Sequence, residues 1–152
     1  GGYQKWSREG RPVEQGPARR SEQASFAPKY RAGHVVDKEE VLAAIGDGEV
    51  CTLNALRPDQ HAGTGGTVYG RLGHIKGSIN IAAVNNEFKS AQMLREQFAN
   101  ALAKPRVITY CGGGIAASSA TMLLTMLGHK NVQLYDASLS EWAPDIRLPM
   151  EM

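Results

Sequence analysis

The sequence predicts an α/β fold with a mostly parallel central sheet flanked by helices on both faces. Two observations carry this. From Asp37 onward, short apolar runs that read as buried strands alternate with segments of helical periodicity. The β-branched run "RVITY" also passes through a glycine loop straight into a helix-like segment, as in parallel crossover units covered on both faces.

Each element has a local reason. In "DKEEVLAAIG", Asp37 is a candidate N-cap and Glu40 stands at capping-box spacing. Val41, Leu42 and Ile45 form an apolar stripe, and Gly46 suits a C-terminal stop. "EVCTLNA" reads as a buried strand, residues 56–77 as loop and "SINIAA" as a second strand. Ser90 caps a helix running to about Leu102, with Met93, Leu94, Phe98 and Leu102 on one face and Pro105 preventing continuation. "RVITY" is the clearest strand, residues 116–127 form a helix closed by Gly128, and "NVQLYD" is the last strand.

The chain of 152 residues suggests one domain, with 42% hydrophobic and 21% charged residues. Its net charge of +2 is too small to indicate nucleic acid, and its basic residues are scattered, with only Arg19–Arg20 as a pair. No apolar run approaches the ~18 residues of a membrane span. No signal peptide is visible and there is no starting Met, so a fragment or processed product is expected, while the cysteine usage points to a reducing, cytoplasmic compartment. The two cysteines, Cys51 and Cys111, lack zinc-site spacing. Residues 1 to about 30 are polar and rich in Gly, Pro and Arg, with Tyr3, Trp6, Val13 and Phe26 as their few large apolar side chains.

The segment "ITYCGGGIAAS" carries the chemistry. Cys111 stands at the carboxyl end of a strand, where open α/β sheets bind ligands. Gly112, Gly113 and Gly114 allow successive N–H groups to turn inward, and the positive end of the next helix points the same way. A thiolate or persulfide would be stabilised there. Gly113 is the position expected to resist a β-branched replacement through a left-handed backbone. A nucleotide cradle is disfavoured because neither this loop nor "GTGGTVYGRLG" supplies the P-loop Lys. A cysteine phosphatase needs Arg six residues after the Cys, where Ala117 stands. A buried, inert cysteine remains an alternative.

Four segments in order resemble the rhodanese-like sulfurtransferases. "VCTLNALRPDQHAG" resembles the family's first strand and following element, "GHIKGSINI" its "GHIPGAxNI" signature, "VITYCGGGIAAS" its active-site loop and "GHKNVQLYDASLSEW" its Trp-containing ending. The resemblance implies a rhodanese-like fold and a ping-pong thiosulfate/3-mercaptopyruvate sulfurtransferase. Cys111 would carry a persulfide held by Gly112, Gly113, Gly114, Ile115 and Ala116, passing sulfur from a small donor to cyanide or a thiol. No cofactor, nucleic acid or membrane is called for. The family's usual Asp and Arg are here Asn54 and Leu56, which leaves Arg57 and Arg71 as candidate substrate-binding cations. A non-catalytic binding module or a sulfur carrier for a protein is the alternative. His74 reads as a loop-positioning residue rather than a catalytic base.

A short echo links "GGYQKWSREGRPVE" to "ASLSEWAPDIRLPME": a charged residue before Trp, then Arg, Pro, an apolar residue and Glu. Residues 1–14 therefore read as the remnant of a preceding rhodanese module, 15–36 as an interdomain linker and 37–152 as the catalytic domain.

Overall fold

The computed structural model describes residues 2–17, 24–29, 31–83 and 89–152, which fall into two compact units, Gly1–Arg31 and Ala32–Met152. The Arg19–Arg20 pair and the middle of the expected linker lie outside the described residues.

The first unit carries a helix not foreseen in the sequence, α1 (Gly2–Arg8). Seven residues with no buried side chain present no apolar stripe to detect. Gly10, at φ +65°, turns the chain after it. The Trp6 indole N–H then donates to the Pro12 carbonyl at 2.8 Å, and the Arg11 guanidinium lies 5.1 Å from the Trp6 ring centroid. Tyr3, Trp6, Val13 and Phe26 are all exposed.

In the second unit the elements run α2 (Lys38–Ala44), β1 (Val50–Asn54), α3 (Pro58–His61), β2 (His74–Ile75), β3 (Ile79–Asn80), α4 (Ala91–Gln97), α5 (Ala99–Leu102), β4 (Arg106–Tyr110), α6 (Ile115–Met126), β5 (Val132–Leu134), α7 (Ser138–Trp142) and β6 (Met150–Glu151). The main sheet has the order β3-β1-β4-β5 with every pair parallel. β2 and β6 form a separate antiparallel pair.

Strand alternation sends side chains to two cores. Cys51, Leu53 and Val107 pack with Leu94 of α4, Ala101 of α5, Ala120 and Leu124 of α6, and Phe98 between α4 and α5. Ile108 and Tyr110 point the other way, joining Val41 of α2, Ile75 of β2 and Leu139 and Trp142 of α7. Phe98 and Trp142 are fully buried, each worth about 1.5–3 kcal/mol by area removed from water.

The expected caps form. Asp37 Oδ1 accepts from Glu40 N–H at 2.9 Å, with Glu40 Oε2 returning to the Asp37 N–H, and Ser90 Oγ accepts from Met93 N–H at 3.2 Å. Two stripes shift. Leu42 and Met93 are largely exposed, and Val41 with Ala44, and Leu94 with Phe98, face inward instead. The helix expected to run unbroken to Leu102 divides at Phe98 (φ −93°, ψ 10°), although Phe98 still donates to Leu94 and accepts from Leu102. The strand expected over residues 78–83 is only Ile79–Asn80.

The segment read as loop folds around a histidine pair. His61 and His74 stack with centroids 3.6 Å apart, and His74 Nδ1 lies 2.7 Å from the His61 carbonyl oxygen, so it donates there. His74 Nε2 is 3.5 Å from Glu151 Oε1. His74 is thus buried and ties this loop to β6. Burial, and secondly the neighbouring His74, push the His61 imidazole down to about 4, partly opposed by Glu151. The unfolded chain therefore binds more protons than the folded one between about pH 6.5 and 4. Stability is expected to be fully present above that window and to fall as pH drops through it. Urea midpoints at pH 7 and pH 5 check this, and His61→Gln should shrink the difference.

Candidate active site

β4 ends at Tyr110, whose carbonyl accepts from Ala55 N–H at 2.8 Å on β1's side. The Tyr110 hydroxyl accepts from Ile75 N–H at 2.9 Å and pairs with Ser78 Oγ at 2.7 Å, and burial pushes it up to about 12. It stays a neutral phenol that pins the end of β4 to the "GHIKGSINI" segment. The chain then turns through Cys111–Gly114 into α6, with Gly114 at φ +82° immediately before the first helical residue.

A second loop clamps this turn. Cys111 N–H donates to Ser138 Oγ at 3.0 Å, and Ser138 Oγ–H donates to the Tyr135 carbonyl at 2.8 Å. Leu139 N–H reaches the Cys111 carbonyl at 3.2 Å. Ser140 gives both its N–H and its hydroxyl to the Gly112 carbonyl, at 2.9 and 2.7 Å. These bonds face the backbone of Cys111 and Gly112 inward. By contrast, among the described residues the N–H groups of Gly112 to Ala116 have no protein acceptor. This run of free donors beside the Cys111 side chain is what an anion nest at a helix start requires.

The glycines are not equivalent. A Cβ on Gly112 would stand 2.0 Å from the Tyr69 phenol, and one on Gly114 2.2 Å from Asp136 Oδ1. Gly113 is exposed, has no left-handed backbone, and its Cβ would meet only Ser140 Oγ at 3.5 Å, an ordinary contact. The strained backbone expected at Gly113 therefore belongs to Gly114.

Cys111 opens into a cleft of about 310 Å³ lined by Leu56, Tyr69, Cys111, Gly112, Gly113, Ile115 and Ala116. The structure thus gathers six of the expected site residues: Cys111, Gly112, Gly113, Ile115 and Ala116 in the lining, and Gly114 in the turn. Neither arginine is in the lining. Arg57 forms a two-pronged pair with Asp59 at 3.0 and 2.9 Å. Arg71 donates through Nε to the Ala143 carbonyl and through Nη2 to those of Trp142, Asp145 and Leu148. Expected as substrate-binding cations, the two arginines stand outside that lining: Arg71 braces the chain after α7, and Arg57 pairs within its own turn.

Asn54 is fully buried, and its Oδ1 accepts from Leu56 N–H at 2.8 Å. A neutral amide suffices for this turn, which carries Leu56 into the cleft wall. Burial pushes the Cys51 thiol up to about 11, so it is protonated at neutral pH, and it packs in the core.

Tyr69, Asp136, Ser138 and Ser140 were missed as site residues. The signal for the last three is topological: β5 lies parallel beside β4, so the residues after β5 emerge next to the loop after β4. Ser138 is fully buried at φ +54°, a conformation costly for a non-glycine residue. Ser138→Ala is expected to strand the Cys111 N–H and cost about 1–3 kcal/mol, read as a lower denaturant midpoint. Ser138→Gly should cost less, because it relieves the backbone.

Fold and site together define a parallel α/β domain with a cysteine anion loop at the carboxyl end of a central strand. The chain belongs to the Rhodanese-like domain family, which matches residues 37–145. It is 31% identical over 168 residues to a Mycolicibacterium smegmatis protein provisionally named thiosulfate sulfurtransferase, covering all of this chain and 60% of that protein. It is 29% identical to the thiosulfate sulfurtransferase of Rattus norvegicus, covering 93% of this chain and 51% of the relative. The chain thus spans little more than half the length of these curated relatives. Its fold also matches an anaerobic ergothioneine biosynthesis enzyme from Chlorobium limicola, solved with trimethyl histidine, at a TM-score of 0.85 and 21% identity over 99% of this chain and 40% of that one. Among the described residues no helix is long and apolar enough to cross a membrane.

Proposed function

We propose that this chain is the cysteine-bearing module of a sulfurtransferase that carries sulfane sulfur on Cys111. The observation supporting it most is the run of unpaired N–H groups from Gly112 to Ala116 beside a cysteine at a strand's carboxyl end. In the first half-reaction the Cys111 thiolate attacks the donor's transferable sulfur. A new S–S bond forms and the donor's bond to that sulfur breaks, its electron pair leaving with sulfite from thiosulfate or with pyruvate enolate from 3-mercaptopyruvate. In the second, cyanide or a thiolate attacks the outer sulfur, and the electron pair of the breaking S–S bond returns to Cys111. The loop N–H groups hold the negative sulfur in both steps without moving.

Among the described residues no cationic side chain lines the cleft, so thiosulfate is expected to be a poor donor with a high KM. Initial rates against donor concentration test this, and Arg57→Ala should leave that KM unchanged.

A preceding rhodanese module remains part of the reading. The two echo segments share a detail: Trp6 donates to the Pro12 carbonyl and Trp142 to the Pro149 carbonyl, each indole closing the turn that follows its own short helix. That likeness supports residues 1–14 as the end of such a module. A persulfide needs a reduced thiol, and both cysteines are free, which fits a reducing, cytoplasmic setting.

The second reading, a sulfur carrier for a protein partner, is favoured by Ile115, 85% exposed at the cleft mouth. Loading Cys111 and then adding cyanide or small thiols separates the two, since a carrier reserved for a protein would keep its sulfur.

A further inference from the structure

The cleft has a chemical character that donor chemistry alone does not explain. Its side-chain walls are Leu56, Tyr69, Ile115 and Ala116, and the remaining lining is Cys111 with the backbone of Gly112 and Gly113. A negative charge packs against the loop: the Asp136 carboxylate lies on Gly114, close enough that a Cβ there would meet it. The two cations of the neighbouring loop are engaged elsewhere, Arg57 by Asp59 and Arg71 by backbone carbonyls. Ile115 leaves most of its surface in water beside the opening. With the loop N–H groups committed to the persulfide sulfur and no cationic side chain in the lining among the described residues, a further anionic molecule entering here would give up water without a countercharge, whereas an apolar body would cover Leu56 and Ile115.

Resting on the persulfide reading of Cys111, we infer that the sulfur acceptor is an uncharged thiol with a compact apolar body, an aromatic ring or branched alkyl group, preferred over anionic thiols in the step that discharges the persulfide. The volume, about 310 Å³, suits one small molecule of this kind. The thiol releases its proton to solvent, and its sulfur attacks the outer sulfur of the persulfide. The Cys111 S–S bond breaks, its electron pair stays on Cys111, and the product leaves as the acceptor's persulfide.

The test uses two alkyl thiols of similar nucleophilicity, 2-phenylethanethiol and 2-mercaptoethanesulfonate, added separately to persulfidated protein. Discharge is followed by intact mass, and each rate is divided by that for glutathione persulfide in free solution. The phenyl thiol should discharge Cys111 at least ten-fold faster than the sulfonate, and Leu56→Arg should reduce or invert that ratio. Ile115→Lys, at an exposed position, gives the same reading should Leu56→Arg fail to fold. Equal rates, or a faster sulfonate, overturn the inference.

A parallel arm needs no persulfide: alkylation of Cys111 by N-benzyl iodoacetamide against iodoacetate, normalised to glutathione. A ten-fold preference for the neutral reagent supports the cleft's selectivity, and no preference overturns it. Failure of Cys111 to gain a sulfur atom from any donor overturns the persulfide reading and, with it, the acceptor assignment, whichever way the alkylation arm falls.

Discussion

Cys111→Ser is expected to abolish sulfur transfer, lowering turnover by three orders of magnitude or more. A serine hydroxyl fits the same buried site with little change in volume, so the fold should persist. It lacks the nucleophilicity and the capacity to hold a second sulfur, and the chemistry has no alternative route. Cys51→Ser is the matched control. Cys51 lies in the core between β1 and the α4–α5 layer, and its thiol is held protonated by burial. Its replacement should cost stability through a buried hydroxyl while leaving turnover per folded molecule intact. Steady-state rates for both variants, with circular dichroism to establish folding, check the pair.

Gly114→Ala is expected to lower turnover at least ten-fold and to destabilise by about 1–3 kcal/mol. Gly114 sits at φ +82°, a region an alanine adopts only with strain, and the added Cβ would stand 2.2 Å from Asp136 Oδ1 and 3.0 Å from the Asp136 carbonyl. Asp136 would have to withdraw, or the first turn of α6 rotate, and either change disturbs the run of unpaired N–H groups that follows Cys111. Gly113→Ala is the internal comparison. Its backbone is ordinary and its Cβ has room, so it should retain most activity. Equal losses at the two positions would show that loop flexibility, rather than the geometry at Gly114, governs the site.

Much of this was legible in the residues. The capping box at Asp37, the Ser90 cap and the strand "RVITY" are local signals, and local signals survive folding because neighbouring backbone groups satisfy them. Cys111 and its glycines could be read because strand, loop and helix follow one another without a break. The other half of the site could not. Ser138 and Ser140 clamp the cysteine loop across a gap of 27 or 28 residues, which only the parallel pairing of β4 and β5 closes. The packing partners of Arg57 and Arg71 were hidden for a related reason. Charge type shows in a sequence, but the carbonyls after α7 that occupy Arg71 lie more than seventy positions away. The segments α3, α7, β2 and β6 span five residues or fewer, too few for a hydrophobic period to register.

The central claim, that Cys111 carries the transferable sulfur, is tested most directly by locating that sulfur. The wild-type chain is incubated with 3-mercaptopyruvate or thiosulfate, trapped by alkylation, digested and mapped by mass spectrometry. One added sulfur atom on the peptide containing Cys111, removed by cyanide and absent from the Cys51 peptide, is the predicted result. An unmodified Cys111 with both donors, or sulfur on Cys51 instead, would contradict the account.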